Sequence, residues 1–219
     1  MINSEKSVKS GYSVPYWWYD IRGFFIFKIC YQDSIFSVLN FFARNFSKNH
    51  LEVAVGSASF MKVALLFRKV RRLGKASGTA FDYTPEMLAG AKNQLNKLDW
   101  KIEQADVTKL TYSSEKFETI NVANAFHCFK DPLQSAKELL RVLKPEGSLA
   151  VNLLLYPKKK SFLNRQAHKV NEWGKKNNIL ESPVDANESR ELFVSAGFVI
   201  EKDQVIKNNL RLVLKRPKK

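Results

Sequence analysis

One short stretch limits what this chain of 219 residues can fold into. His50–Phe60 reads H-L-E-V-A-V-G-S-A-S-F, with apolar residues at Leu51, Val53 and Val55, then Gly56, then the small residues Ser57, Ala58 and Ser59. From Phe60 the pattern turns helical, M-K-V-A-L-L-F-R-K-V-R-R. A buried strand, a tight small-residue turn and a helix start form the first βα unit of an open sheet. Small residues let a ligand approach the backbone, and a helix start favours negative charge there.

The pattern continues. Thr79–Phe81 reads as a second strand ending in Asp82, and Trp100–Ala105 as a third ending in Asp106. A carboxylate at the end of the second strand accepts hydrogen bonds only, which suits a ribose diol. A second carboxylate one strand further suits an adenine amino group. Thr84–Pro85 and Asp131–Pro132 are helix starts, a capping side chain followed by proline at the first helical position. Pro145–Gly147 turns the chain into the apolar run Ser148–Tyr156, Asn187 caps a last helix, and Gly197 stops it. Phe198–Lys202 and Leu210–Lys215 pair as a hairpin whose last strand is antiparallel. Strands alternating with helices at these lengths predict a largely parallel sheet covered on both faces.

Five segments, in this order and spacing, resemble the class I S-adenosylmethionine-dependent methyltransferases, of the methyltransferase type 11 kind. They are L-E-V-A-V-G-S-A, F-D-Y-T-P-E-M-L, Q-A-D-V, F-E-T-I-N-V-A-N-A-F-H-C-F-K-D-P and L-L-R-V-L-K-P-E-G-S-L-A-V. The resemblance covers roughly residues 51–156. It implies a Rossmann-like doubly wound α/β fold: a mostly parallel seven-stranded sheet, a C-terminal antiparallel strand and an N-terminal helical cap. It implies S-adenosylmethionine as cofactor, with Glu52, Ala54, Gly56 and Ser57 along the first strand and its loop. Asp82 would hold the ribose, Tyr83 would lie against the adenine, Asp106 and Val107 would meet the adenine edge, and Asn124 would end the fourth strand near the methionine part. Where the family has three alternating glycines, Ala54 and Ala58 take the outer places, which requires a negative φ at both. The single glycine argues against a nicotinamide enzyme, whose G-x-G-x-x-G carries a pyrophosphate.

The rest of the chain divides into an N-terminal arm and aromatic-rich helical cap, 1–48, and the cofactor-binding domain, 49–219, with a basic acceptor-side insertion at 158–178. Asp33 or Ser34 caps the helix I-F-S-V-L-N-F-F-A-R-N-F. Of the aromatics before it, Tyr16 and Tyr19 are the ones expected to reach a ligand. Methyl transfer from a sulfonium needs a base only when the acceptor loses a proton. His127, following the fourth strand in A-F-H-C-F, is the candidate base.

Cys30 and Cys128 read as reduced thiols, no His/Cys cluster has metal-ligand spacing, and no apolar run reaches the ~18–20 residues that cross a membrane. A cytoplasmic protein is expected. The net charge of +15 favours anionic partners. In the insertion, Lys158, Lys159, Lys160, Arg165, Lys169, Lys175 and Lys176 surround Phe162, Leu163 and Trp173. That mixture suits an anionic membrane surface, and with it a small or lipid-like acceptor. A nucleic-acid acceptor ranks lower, because N-A-F-H stands where amine-directed nucleic-acid enzymes carry an N-P-P-Y-type tetrapeptide, and a non-catalytic S-adenosylmethionine-binding domain with a degenerate loop is the third reading.

Overall fold

The computed structural model describes residues 23, 27–157, 161–176 and 184–218. A π-helical turn, Phe27–Tyr31, precedes α1 (Ile35–Ala43). Then follow β1 (His50–Val53), α2 (Ser59–Val70), β2 (Gly78–Asp82), α3 (Pro85–Leu95), β3 (Trp100–Gln104) and β4 (Phe117–Val122). The second half comprises α4 (Pro132–Val142), β5 (Leu143–Leu154), α5 (Phe162–Lys176), α6 (Ala186–Ser195), β6 (Val199–Ile206) and β7 (Asn209–Lys215).

The seven strands form one sheet in the order β3-β2-β1-β4-β5-β7-β6. β1 to β5 run parallel, and β7 enters antiparallel between β5 and β6. The order reverses at β1, so the crevice beyond the carboxyl ends of β1 and β4 is the place for a ligand.

Alternation along the strands feeds both faces. Leu51, Val53, Ile120, Val122, Leu149 and Val151 pack with Leu139 of α4 and Phe193 of α6. The other face is covered by α1, α2 and α3 through Leu39, Met61, Ala64, Ala91 and Leu95. Beside it, Phe27, Tyr31, Val38, Phe42 and Ala167 of α5 close over Ala150 and Leu154. Arg68, from the basic end of α2, donates to the carbonyl of Ala43 at 2.7 Å, so it serves the C-terminus of α1.

Several expectations need correction. β5 begins at Leu143, and Pro145–Gly147 forms an irregularity within it, where the register against β4 shifts. A Cβ on Gly147 would lie 2.8 Å from the Lys144 carbonyl oxygen, so close backbone approach demands glycine there. Asp185 caps α6 by accepting from the Asn187 amide at 2.7 Å, whereas Asn187 was the expected cap. Ser34 precedes α1 without a side-chain cap, and Thr84 precedes α3 in the same way. The Thr84 hydroxyl turns to the Asp82 carboxylate instead. Tyr16, Tyr19 and Lys158–Lys160 lie outside the described residues.

Candidate functional site

The loop between β1 and α2 is shaped by its neighbours. The Val55 amide donates to the Phe81 carbonyl at 3.0 Å, and the Ala58 amide to the Val55 carbonyl at 2.9 Å. These bonds hold Ala54, Gly56 and Ala58 at φ 52°, 56° and 65°. The expected negative φ at the two alanines is therefore wrong. The chain keeps the left-handed backbone that glycine usually supplies and absorbs the clash of two Cβ atoms, about 1–2 kcal/mol each. A Cβ on Gly56 itself would meet nothing within 4 Å, so the space over the loop is open.

Asp82 faces that loop from the end of β2. Its Oδ2 accepts from the Gly56 amide at 2.8 Å and its Oδ1 from the Thr84 amide at 2.9 Å. Burial raises its carboxyl above the usual range, while the Thr84 and Gly56 amides pull the other way. The Thr84 hydroxyl and the Tyr83 amide also face the carboxylate, so it is fixed at the mouth of the loop by donors from both sides. The Ala105 amide donates to the Asp82 carbonyl at 3.2 Å, which brings the ends of β2 and β3 together. Just beyond, Asp106 accepts from the Thr108 amide and hydroxyl through Oδ1 alone. Tyr83 is exposed beside Asp82, Ser57 is buried in the loop, and Val107 packs on the core edge.

Glu52 is placed differently. It is buried within β1, on the strand face below the loop, where its Oε2 lies 3.1 Å from His50 Nε2. Burial raises its carboxyl to about 8, against the opposing influence of Asn121, and burial lowers His50 well below its usual value. The bonds agree: Thr119 donates to Ser47, so His50 Nδ1–H donates to Thr119, and the bare Nε2 accepts from a protonated Glu52. In this structure Glu52 forms a buried acid–imidazole pair below the loop.

Beyond β4, Asn124 has φ 56° and exchanges two bonds with Asn152 of β5, each 2.7 Å. Asn152 continues to Asn209 of β7 at 3.2 Å, and Asn209 to Asp33 at 2.8 Å. Asp33 also pairs with buried Arg211. Sequence reading missed this chain, because an asparagine inside an apolar strand carries no sign of its partner.

His127 lies in a short 3-10 turn, Phe126–Cys128, just past Asn124, with only 7% of its surface exposed. Burial lowers its pKa to about 4, so the ring is neutral at physiological pH. Its Nδ1 has no hydrogen-bond partner, and its ring meets the Tyr31 ring edge-on at 6.1 Å. Among the described residues no group of three ligating side chains could hold a metal.

This strand order, with a shaped loop after β1 and carboxylates ending β2 and following β3, is that of the Rossmann-like methyltransferase fold. Residues 51–151, just under half of the chain, match the family model described as a methyltransferase domain. S-adenosylmethionine is the cofactor that this match and this fold support. The open space over Gly56, beside the fixed Asp82 carboxylate, fits that group.

The chain is 33% identical over 103 residues to the ubiquinone/menaquinone biosynthesis C-methyltransferase UbiE of Bdellovibrio bacteriovorus, covering 46% of this chain and 42% of that protein. It is 31% identical over 109 residues to the demethylmenaquinone methyltransferase of Deinococcus radiodurans, covering 49% and 42%. It therefore spans less than half the length of these two relatives. A S-adenosylmethionine-dependent methyltransferase from Aquifex aeolicus superposes with a TM-score of 0.63 at 18% identity, covering 86% of this chain and 92% of that one. The [4+2]-cyclase SpnF gives 0.66 at 15%, covering 84% and 81%, and the methyltransferase CalH bound to SAH gives 0.61 at 16%, covering 82% and 54%. At these identities the structural likeness is one of fold.

Proposed function

We propose that the protein methylates an apolar, lipid-like acceptor of the quinol kind. The observation that carries this reading is the apolar cluster of Phe27, Tyr31, Phe42, Phe60 and Cys128, which α5 joins and which reaches the turn bearing His127. Two relatives named for quinone methylation support the acceptor class.

The cofactor supplies an activated methyl group, so positioning contributes much of the rate. Asp82 and Asp106 hold the nucleoside end. The apolar cluster excludes water from the acceptor. His127 is neutral and offers a ring nitrogen that accepts the acceptor's hydroxyl proton as charge develops.

The outer face of α5 supports delivery from an anionic membrane. Phe162 and Leu163 are 66% and 50% exposed, Trp173 is partly exposed, and Arg165, Lys169 and Lys176 stand among them. Incubation with labelled S-adenosylmethionine and reduced demethylmenaquinone tests the reading. Label in the quinone product is expected. Label only in added RNA would replace this function with the nucleic-acid alternative.

A further inference from the structure

α5 buries a stripe made of Asn164, Ala167 and Asn171. Asn164 is satisfied, since its Oδ1 accepts from Gln32 at 2.7 Å and from Asn208 at 3.3 Å. Asn171 is not. It is 1% exposed, and neither its Nδ2 nor its Oδ1 has a hydrogen-bond partner. The other buried asparagines all bond through at least one side-chain atom: Asn45 to Ile120, Asn121 from Asn45, Asn152 to Asn124, Asn208 to Cys30 and Asn209 to Asp33. A dry amide with both ends unpaired costs stability, and native chains pair nearly all such groups.

His127 Nδ1 is another unpaired atom on this side of the sheet. The two border one apolar cluster. Ala167 and Val170, within a turn of Asn171, belong to it together with Phe27, Tyr31 and Cys128, the last adjacent to His127. Tyr31 spans the interval, its ring against His127 and its turn packed beneath α5. Two polar groups left open at the rim of an apolar cluster are the arrangement a site needs for an apolar molecule with a few oxygens.

We propose that Asn171 and His127 are the polar contacts of the acceptor site, and that they select a flat apolar acceptor bearing hydroxyl or carbonyl oxygens. Asn171 donates from Nδ2 to a carbonyl-type oxygen or accepts a hydroxyl through Oδ1. His127 Nδ1 takes a second oxygen's hydrogen. Neither contact is available to a purely hydrocarbon molecule. The assignment rests on the proposed acceptor class and adds the residues that recognise it.

The test uses the full chain, saturated with S-adenosylhomocysteine, and reduced 1,4-naphthoquinone as probe. Calorimetry is expected to show binding by the wild type and about ten-fold weaker binding by Asn171→Leu. The same variant without probe is expected to melt at a higher temperature than wild type, because an unpaired buried amide has been removed. Asn171→Ala gives the binding comparison independently of how leucine packs. Unchanged probe affinity in both variants, or a lower melting temperature for Asn171→Leu, would overturn the proposal. So would failure of the wild type to bind the probe. A methylation assay separates the two readings. Methylated probe with an unchanged KM in the variants leaves the function standing without Asn171. Binding that depends on Asn171 but yields no methylated product leaves the site standing without the function.

Discussion

The Gly56 amide donates to Asp82 Oδ2 across 2.8 Å, so the loop after β1 and the end of β2 are one rigid unit. Removing that carboxylate frees the loop and deletes the diol acceptor together. Asp82→Ala is expected to weaken S-adenosylhomocysteine binding by about 1.5–3 kcal/mol per charge-assisted bond lost. Calorimetry reads this directly, and wild-type affinity in the variant would remove Asp82 from the site.

Ala54 and Ala58 hold φ values of 52° and 65°. Glycine relieves that strain but costs about 0.4–1 kcal/mol of chain entropy. With about 1–2 kcal/mol of relief, Ala54→Gly and Ala58→Gly should each stabilise the fold by roughly 1 kcal/mol. Ala58 also precedes α2, where glycine outranks alanine as a cap. Urea titration with an unchanged m-value checks both, and destabilisation would show that the two methyl groups pack favourably.

Glu52 has a folded-state pKa raised to about 8 from an ordinary value near 4.5. The folded chain binds this proton more tightly than the unfolded chain. Its stabilisation is complete below the unfolded value and is lost as pH rises through 8. His127 acts oppositely: its pKa is lowered to about 4, so its contribution is present above 6.5 and is lost as pH falls towards 4. Between pH 6.5 and 8 the carboxyl acts without that opposition. Stability is expected to fall across that window in the wild type and to flatten in Glu52→Gln. Equal slopes in chemical denaturation would contradict a protonated Glu52.

His127→Ala should slow methyl transfer by roughly 10²–10⁴-fold if the imidazole receives the acceptor's proton, with cofactor affinity unchanged. Single-turnover rates with reduced demethylmenaquinone measure this. Wild-type turnover would assign His127 to binding alone.

The full chain should sediment with anionic vesicles and remain free of neutral ones at about 0.15 M salt, each nearby cation contributing about 1 kcal/mol. Replacing Arg165, Lys169 and Lys176 by Ser should release it. Association that ignores lipid charge, or tight RNA binding without vesicle binding, would reverse this assignment.

Much of the site was legible because its signals are local. Leu51, Val53 and Val55 alternate, Gly56 punctuates, and Asp82 ends an apolar run. The backbone sign at Ala54 was not legible, since the adjoining Val55 amide is bonded to Phe81, a residue on another strand. Glu52 matched a family position, but its buried partners His50 and Asn121 come from strand alternation and pairing, which the sequence does not display. Asn171 read as one polar residue in a basic helix. Only packing shows that it is inside and unpaired.

The bonded series Asn124, Asn152, Asn209, Asp33 runs from the carboxyl edge of β4, across two strands, to the second residue before α1. Each amide is oriented by the next, so none can rotate alone. The segment before α1 and the turn beside the cofactor crevice therefore report on one another. The two ends of the series, about 90 residues apart in sequence, are thereby held in one buried polar seam beneath the crevice.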